Sequence, residues 1–582
     1  MSTFVLGRAP TRAQARAFVL SKDAVALASL ALIGAALVAQ TWGAWGDIGR
    51  DTGYDLVAGS RVAHGGLPYV DFPYYYGPLA PFVLGFAAWL GGDGLAPAIA
   101  VGLVVSAAIV ALTYALARAF VGALGAFLAS AIVLGVAVSP TNFSYVLPHT
   151  ASMTLGIAAL LAVLVVLTRM PSVPSTGRLA LAGAAAGLVA LSKPELELAA
   201  LGAIGAWCIS RRLPRRSIAV LAAPAAAIPA LIYGAFATQV SLHALLFDNL
   251  YPTKVLQAGG DRLLRLHAPL TASSLLHHGE HVLLYAAGIG TLLSAAWALD
   301  RGSRVVAFAF AAVGLAAVEV AFSNLETTRS ALQLAYGWIP GGAAVAAVLV
   351  ATKFRRLEEA SAGLALTVAL TIAGGTTYAA FYLHAPRAQT AVYFAPLAAV
   401  FLAALHLRDH FDSRNAVVLG ACWLAFLGAV GLALTVKDAH GKSVVVSGPG
   451  GSLRADPADA NAYRAALADV VRLTSPGERV LFAPQLSSFY ALSGRVDALP
   501  NISLLPGMLN GVPAEQQAIA RLDAEHVRVI VTDTHDFAEY GQGSFGTTFD
   551  VALAAWINRN FELSGKYPGL DHTLAVWRRN TP

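Results

Sequence analysis

Continuous apolar runs occupy most of the chain from Ala24 to Val436, and short polar connections separate them. Many are long enough, at roughly 18 residues or more, for a helix to cross about 30 Å of hydrocarbon. The runs are continuous instead of alternating, so they predict membrane helices and not a barrel. In chain order the pattern predicts crossings over Ala24–Trp45, Leu95–Ala117, Val121–Val138, Ala151–Leu167, Leu179–Ser192, Leu196–Ile209 and Ser217–Thr238, and a last one over Ala416–Val436. The stretch Leu79–Leu90 is apolar but too short to cross, since about 12 residues at about 1.5 Å each reach only about 18 Å. It is predicted to be a re-entrant or interfacial helix.

Charge then assigns the two sides. Lysine and arginine gather in the short connections: Arg118; Arg169 and Arg178; Arg211, Arg212, Arg215 and Arg216; Arg301 and Arg304; Lys353, Arg355 and Arg356; Arg408 and Arg414. Cytoplasmic loops carry such an excess. If residues 79–90 do not cross, all of these loops fall inside in a count of about 13 crossings; if they do cross, the same loops fall outside. Arg8, Arg12, Arg16 and Lys22 precede the first run, and no convincing cleavage site follows, which reads as an uncleaved anchor with a cytoplasmic N-terminus. Glu319, inside the predicted ninth crossing, is expected to face the bundle interior because a carboxylate is costly in lipid.

Beyond Val436 the pattern changes. Short β-rich runs, KSVVV (442–446), ERVLFAP (478–484), VRVIVTD (527–533) and HTLAVWRR (572–579), alternate with helical stretches, the signature of a small α/β domain. The domains are therefore 1–436, a transmembrane unit with external loops at 47–78 and 239–278, and 437–582, an external α/β unit. Residues 448–451 read as a short hinge.

Composition agrees: 57% of residues are hydrophobic and 12% charged, against apolar usage of about 45–50% in soluble domains. The net charge of +6 is explained by loop placement and calls for no nucleic acid. Cys208 and Cys422 lie in or beside apolar runs and read as free buried thiols. No Walker or Rossmann phosphate loop is present. His277 and His281 would share one helix face, and Asp533–Asp536 follows a strand; the preferred readings are interface histidines and a turn.

Against this background residues 47–78, DIGRDTGYDLVAGSRVAHGGLPYVDFPYYYGP, form a polar island. It holds four acids (Asp47, Asp51, Asp55, Asp71), the bases Arg50, Arg61 and His64, and Tyr54, Tyr69, Tyr74, Tyr75 and Tyr76. Glycine, proline and tyrosine suit an ordered loop, whose rings can anchor at the membrane interface or stack on sugar faces. An acid there can act as general base toward an acceptor hydroxyl. An external site has no nucleotide sugar, so an activated donor must arrive on a lipid carrier, as a polyprenyl-phosphate sugar does. Its leaving phosphate needs positive charge, and the bases near external helix ends are Arg61, Lys193, Arg329 and Arg387. Glu195 follows Lys193 at the same turn and, with His64 and Asp71, is a candidate for substrate contact.

With the island, the short helix, the long loop and the tail in view, the chain resembles the GT-C glycosyltransferases. It is most similar to the dolichyl-phosphate-mannose protein mannosyltransferase type, glycosyltransferase family 39, and its bacterial relatives, including the aminoarabinose transferases of lipid A. The motif is RDTGYDLVAGSRVAHGGLPYVDF, in which Asp51 looks like their active-site acid and is followed by the same helix, glycine turn and Pro-Tyr-x-Asp element. Where many relatives carry Asp-Glu this chain has Asp51-Thr52, and Tyr76-Gly77-Pro78 stands where many have lysine before paired prolines. The resemblance implies an inverting, multi-pass transferase of the cell or inner membrane that needs no cofactor or metal. It would move a sugar from a polyprenyl-phosphate donor to a lipid, glycan or protein acceptor on the external face, with Asp51 as base and Asp55 next in line. The alternative class is a transporter or flippase for a lipid-linked or small solute, although the paired halves of such proteins are not evident.

Overall fold

The computed structural model describes residues 12–50, 52–141, 143–250, 291, 294–329, 339–353, 357–377, 392–407 and 414–580. The helices of the apolar region are α1 (Arg12–Thr41), α2 (Thr52–Ala63), α3 (Leu79–Gly91), α4 (Leu95–Ala117), α5 (Ala123–Ala137), α6 (Ala151–Thr168), α7 (Thr176–Ala190), α8 (Pro194–Ser210), α9 (Arg215–Ala237), α10 (Arg304–Ser323), α11 (Ile339–Lys353), α12 (Leu357–Thr377), α13 (Ala395–Leu407) and α14 (Arg414–Gly441). Seven described helices are long and apolar enough to cross a membrane; the chain is a helical membrane protein. The segment predicted to be too short is α3, 13 residues long. Its Phe82, Phe86, Trp89 and Leu90 are exposed, leaving an apolar flank of the kind that lies in an interface.

The two ends of the bundle differ. At one end Arg118 pairs with Asp23 (2.8 Å), Arg169 donates to the Ala115 carbonyl (3.0 Å), and Arg211 donates to that of Pro171 (2.9 Å). Asp23 and Thr41 are separated along α1 by about 27 Å at helical rise, and the Thr41 end meets the tail. The arginines of successive predicted cytoplasmic loops thus share the end remote from the tail.

The tail comprises β1 (Val444–Gly448), β2 (Gly451–Ala455), α15 (Pro457–Leu473), β3 (Arg479–Ala483), α16 (Ser488–Ser493), β4 (Val496–Asp497), α17 (Val512–Ala524), β5 (Val529–Asp533), α18 (Val551–Asn560), β6 (Phe561–Pro568) and β7 (Thr573–Arg579). Strands β4-β3-β5-β7-β6 form one sheet, parallel among the first three and antiparallel at β5–β7–β6. The expected hinge at 448–451 is instead the turn of the β1–β2 hairpin, with Gly448 opposite Gly451. Two backbone bonds pin it: Gly450 N–H donates to Leu492 O (3.0 Å) and Leu95 N–H to Gly450 O (2.9 Å). Gly451 adopts φ 137°, a conformation open to glycine and poorly tolerated by other residues.

Bundle and tail are clamped together. Arg454 N–H donates to Gly43 O (2.6 Å), its Nε to Lys442 O (2.6 Å), and its Nη2 to Ala439 O, while Lys442 Nζ donates to Gly46 O. One arginine thus ties the end of α1 to the end of α14. The first turn of α2 lies on α16 so closely that a Cβ on Gly53 would enter the backbone of Ser487 and Ser488.

Two expectations are corrected. Glu319 is exposed on α10, which among the described residues packs chiefly against α14 and has most of its circumference open. Cys208 is buried, but Cys422 is exposed on the outer side of α14. A turn does follow β5: Asp533 Oδ1 accepts from His535 N–H (3.1 Å). Residues 277–281 lie outside the described residues.

Gly53→Val should detach α2 from α16 and destabilise the chain by about 2 kcal/mol, the usual cost of forced overpacking; thermal unfolding and proteolysis of the tail measure this. A pH effect should arise in the tail, where Asp550 is 3% exposed and neither carboxyl oxygen has a hydrogen-bond partner among the described residues. Burial, then the charge of Glu515, push its pKa up to about 8. The fold disfavours the ionised form, so this stability is fully present below the ordinary carboxylate value of about 3.9. It is lost as pH rises through about 8. Thermal unfolding from pH 5 to 8.5 should show the decline, and Asp550→Asn should flatten it.

Candidate active site

The polar island folds into α2 and an aromatic loop laid over the tail-side ends of α6, α7 and α8. Its centre is Asp55, 5% exposed in the first turn of α2. Tyr74 Oη donates to Asp55 Oδ1 (2.6 Å), and Ala151 N–H, opening α6, donates to Oδ2 (2.5 Å). Thr150, the residue capping α6, makes no side-chain cap; Asp55 fills that place from another element and meets the positive end of the helix dipole. Burial raises the Asp55 pKa, and the bonds from Tyr74 and Ala151 and the charges of His149 and Lys193 oppose the rise.

Lys193 completes the pocket. It precedes Pro194 at the start of α8, is 3% exposed, and donates from Nζ to Tyr393 Oη (2.9 Å). The ammonium lies over the rings of Tyr76 (4.7 Å) and Tyr393 (4.8 Å), a desolvated cation–π arrangement. Glu195 acts on Lys193 through space, and its Oε2 has no hydrogen-bond partner among the described residues.

The loop is fixed by its backbone. Gly77 N–H donates to Ser192 O (2.8 Å), Leu79 N–H to Leu191 O (3.0 Å), and Tyr74 N–H to Asn249 Oδ1 (3.0 Å). A side chain on Gly77 would strike the Leu191 carbonyl, so glycine permits this approach. Tyr54 stacks on Tyr74 (5.6 Å) and Tyr75 (6.2 Å) and meets Tyr76 edge-on, and Tyr69 Oη donates to Tyr76 O (2.5 Å). The membrane-anchoring expectation is corrected for Tyr54, Tyr69 and Tyr74, which are buried. Their rings pack on one another, and two of the hydroxyls find acceptors within the loop and α2.

The remaining candidates separate from this pocket. Arg61, near the other end of α2, forms an ion pair with Asp497 of the tail and donates to Leu499 O (2.6 Å) and Pro500 O (2.5 Å). Its guanidinium is a strut between bundle and tail, not a neighbour of Asp55. Arg329 pairs with Asp438 (2.5 Å) and Glu326 (3.5 Å). His64 is exposed, bonded through Nδ1 to Ser60 O (2.9 Å), and Asp71 closes its own turn by accepting from Leu67 N–H (2.7 Å). Asp51 and Arg387 lie outside the described residues. Reasoning from the sequence missed Asn249, His149 and Ser152, whose Oγ lies 3.3 Å from Tyr74 Oη. Nothing local distinguishes Asn249 as the partner of a residue 175 positions away in the chain.

No protein-family model matches the chain, and no curated protein matches it. Among solved structures, the apo form of the oligosaccharyltransferase from Archaeoglobus fulgidus superposes with a TM-score of 0.50 at 14% identity, covering 94% of this chain and 74% of that one. The same enzyme tethered to an acceptor peptide gives 0.49 at 14% identity, covering 96% and 74%. Apo ArnT from Cupriavidus metallidurans gives 0.43 at 14% identity, covering 95% and 98%. The first of these likenesses shows that the chain shares the fold of that oligosaccharyltransferase.

Arg61→Ala would leave the buried Asp497 carboxylate without its guanidinium. It should cost about 3 kcal/mol, as broken buried pairs do, and should expose the tail to protease; unchanged thermal unfolding would contradict the strut.

Proposed function

We propose that the protein is a GT-C glycosyltransferase that moves a sugar from a polyprenyl-phosphate donor to an acceptor hydroxyl or amine on the external face of the membrane. The observation that carries this reading is the pocket where a buried carboxylate, Asp55, and a buried ammonium, Lys193, meet at the ends of α6 and α8 beneath the loop at 72–79. The fold shared with an oligosaccharyltransferase supports it. In this reading the chain makes about 13 crossings, residues 1–436 form the membrane domain, the N-terminus is cytoplasmic, and the tail and loop 47–78 face outward.

The step is a single displacement. Asp51 takes the proton of the acceptor nucleophile as that atom bonds to the anomeric carbon, and the bond from that carbon to the phosphate oxygen breaks with its electron pair leaving on polyprenyl phosphate. Configuration inverts. Lys193, together with Arg387, offsets the charge on the departing phosphate; Arg61 and Arg329 are held by carboxylates and serve the architecture. Asp55 orients the first turn of α2, directly after Asp51, by its bonds to Tyr74 and Ala151. The half-buried Tyr75, Tyr76 and Glu195 are the side chains for the sugar, and Tyr54 backs them from the core.

The test is transfer of labelled sugar from a panel of polyprenyl-phosphate donors, using the full chain in lipid nanodiscs. Asp51→Asn should lower the rate by about 10²-fold or more, the usual worth of a general base, with expression and thermal unfolding unchanged. Native turnover in that variant overturns the assignment of Asp51, and absence of transfer from every donor by the native chain overturns the function.

A further inference from the structure

Behind α2, on the face turned away from Asp55, lies a cleft of about 700 Å³ that the pocket just described does not include. This volume is within the ~300–1,000 Å³ usual for small-molecule sites. Its bundle wall is Leu56, Val57, Ser60, His64 and Phe72, with Asp93 and Gly94 from the α3–α4 turn; its tail wall includes Arg479, Tyr490, Arg495, Asp497 and Arg521.

The arginines around the cleft are unevenly met. Arg61 has Asp497, and Arg479 has Glu525 (3.0 Å). Arg521 donates from Nε to the Ala498 carbonyl (3.2 Å). Arg495 is 5% exposed, and the groups it bonds are neutral: Thr474 Oγ1 (2.8 Å), Ser493 O (2.6 Å), Thr474 O (2.6 Å) and Val471 O (3.2 Å). Glu478 acts on it through space, but that carboxylate is held bidentate by Arg528 (2.9 and 2.6 Å). A buried guanidinium satisfied only by neutral oxygens retains its full charge, and a buried charge is costly without a counter-ion. The cleft therefore presents a positive field on one side. On the other it offers apolar surface at Leu56 and acid acceptors at Asp71 and Asp93.

That combination fits a ligand with an anionic group, hydroxyls and sugar-like apolar faces, and the volume is too large for a bare anion alone. We propose that this cleft binds an acidic saccharide, its carboxylate or phosphate against Arg521 in the field of the buried Arg495 and its rings along Leu56. The choice of a saccharide rests on the proposed function; the anionic preference rests on the cleft itself. Arg521 suits the task because its Nε alone is given to a backbone carbonyl, and a guanidinium fork grips oxyanions bidentately.

The experiment is titration calorimetry on the full chain in nanodiscs, without donor. Tetragalacturonate is the carboxylate probe, mannose 6-phosphate the phosphate probe, maltotetraose the neutral control and inorganic phosphate the bare anion. At least one acidic sugar should bind tenfold or more tightly than maltotetraose and inorganic phosphate, and whichever binds names the oxyanion. Arg521→Gln should weaken that binding about tenfold, and Ser60→Trp, which fills the cleft, should abolish it; both lie at the surface of the cleft and avoid the buried Arg495. Equal binding of the neutral sugar, binding of inorganic phosphate as tight as that of the acidic sugars, no binding of any probe, or binding indifferent to both substitutions overturns the proposal. Asp51→Asn should bind the acidic sugar as the native chain does. Lost transfer with retained binding separates this site from the reaction, and transfer by a native chain that binds no probe rejects the cleft while sparing the function.

Discussion

The carboxylate of Asp55 at the N-terminus of α6 is the interaction on which the tail-side end of the bundle depends. A charge this deeply buried is unfavourable unless its oxygens are bonded, and here two bonds come from different elements, Tyr74 in the loop and Ala151 in α6. Satisfying that one group fixes α2 across α6 and folds the tyrosine loop over the ends of α7 and α8. The lysine at position 193 is buried in the same space, so opposite charges are brought together out of water.

The tail adds rigidity from the other side. Arg454 and Lys442 join the ends of α1 and α14 to the β1–β2 hairpin, and α2 lies between bundle and α16 with only a glycine at the contact. Arginines from three elements then fasten the segment 497–500: Arg479 bonds the carbonyl of Asp497 (3.0 Å), Arg521 that of Ala498, and Arg61 those of Leu499 and Pro500. A helix held on both faces is a firm platform for chemistry at its first turn, because positional error of about 1 Å at a reacting group is expensive.

Arg61 and Lys193 show how differently two of the four candidate bases fare. Both are basic residues near predicted helix ends, and the sequence offered no ground for separating them. In the fold one reaches an aspartate more than four hundred residues away and becomes a strut, whereas the other turns inward toward two tyrosine rings. The same holds for the tyrosines: their composition suggested a membrane belt, but ring packing, with acceptors for the hydroxyls of Tyr69 and Tyr74, holds three of them in the core.

The sequence alone located the long apolar helices among the described residues, since run length and continuity follow from local backbone geometry and the thickness of hydrocarbon. It also located α3 as too short, the strands β1, β3, β5 and β7, and the polar island. It missed the two-residue β4 as well as β2 and β6, where Gly451 with Ser452 and the run Glu562-Leu563-Ser564-Gly565-Lys566 carry little apolar alternation; those strands exist because a neighbour supplies their backbone partners. Which acid is buried, which base faces it and where the second cleft opens were decided by tertiary structure. Those outcomes depend on pairing polar groups 19 to 200 positions apart, and the cost of burying a charge is settled only when the elements carrying its partners have met.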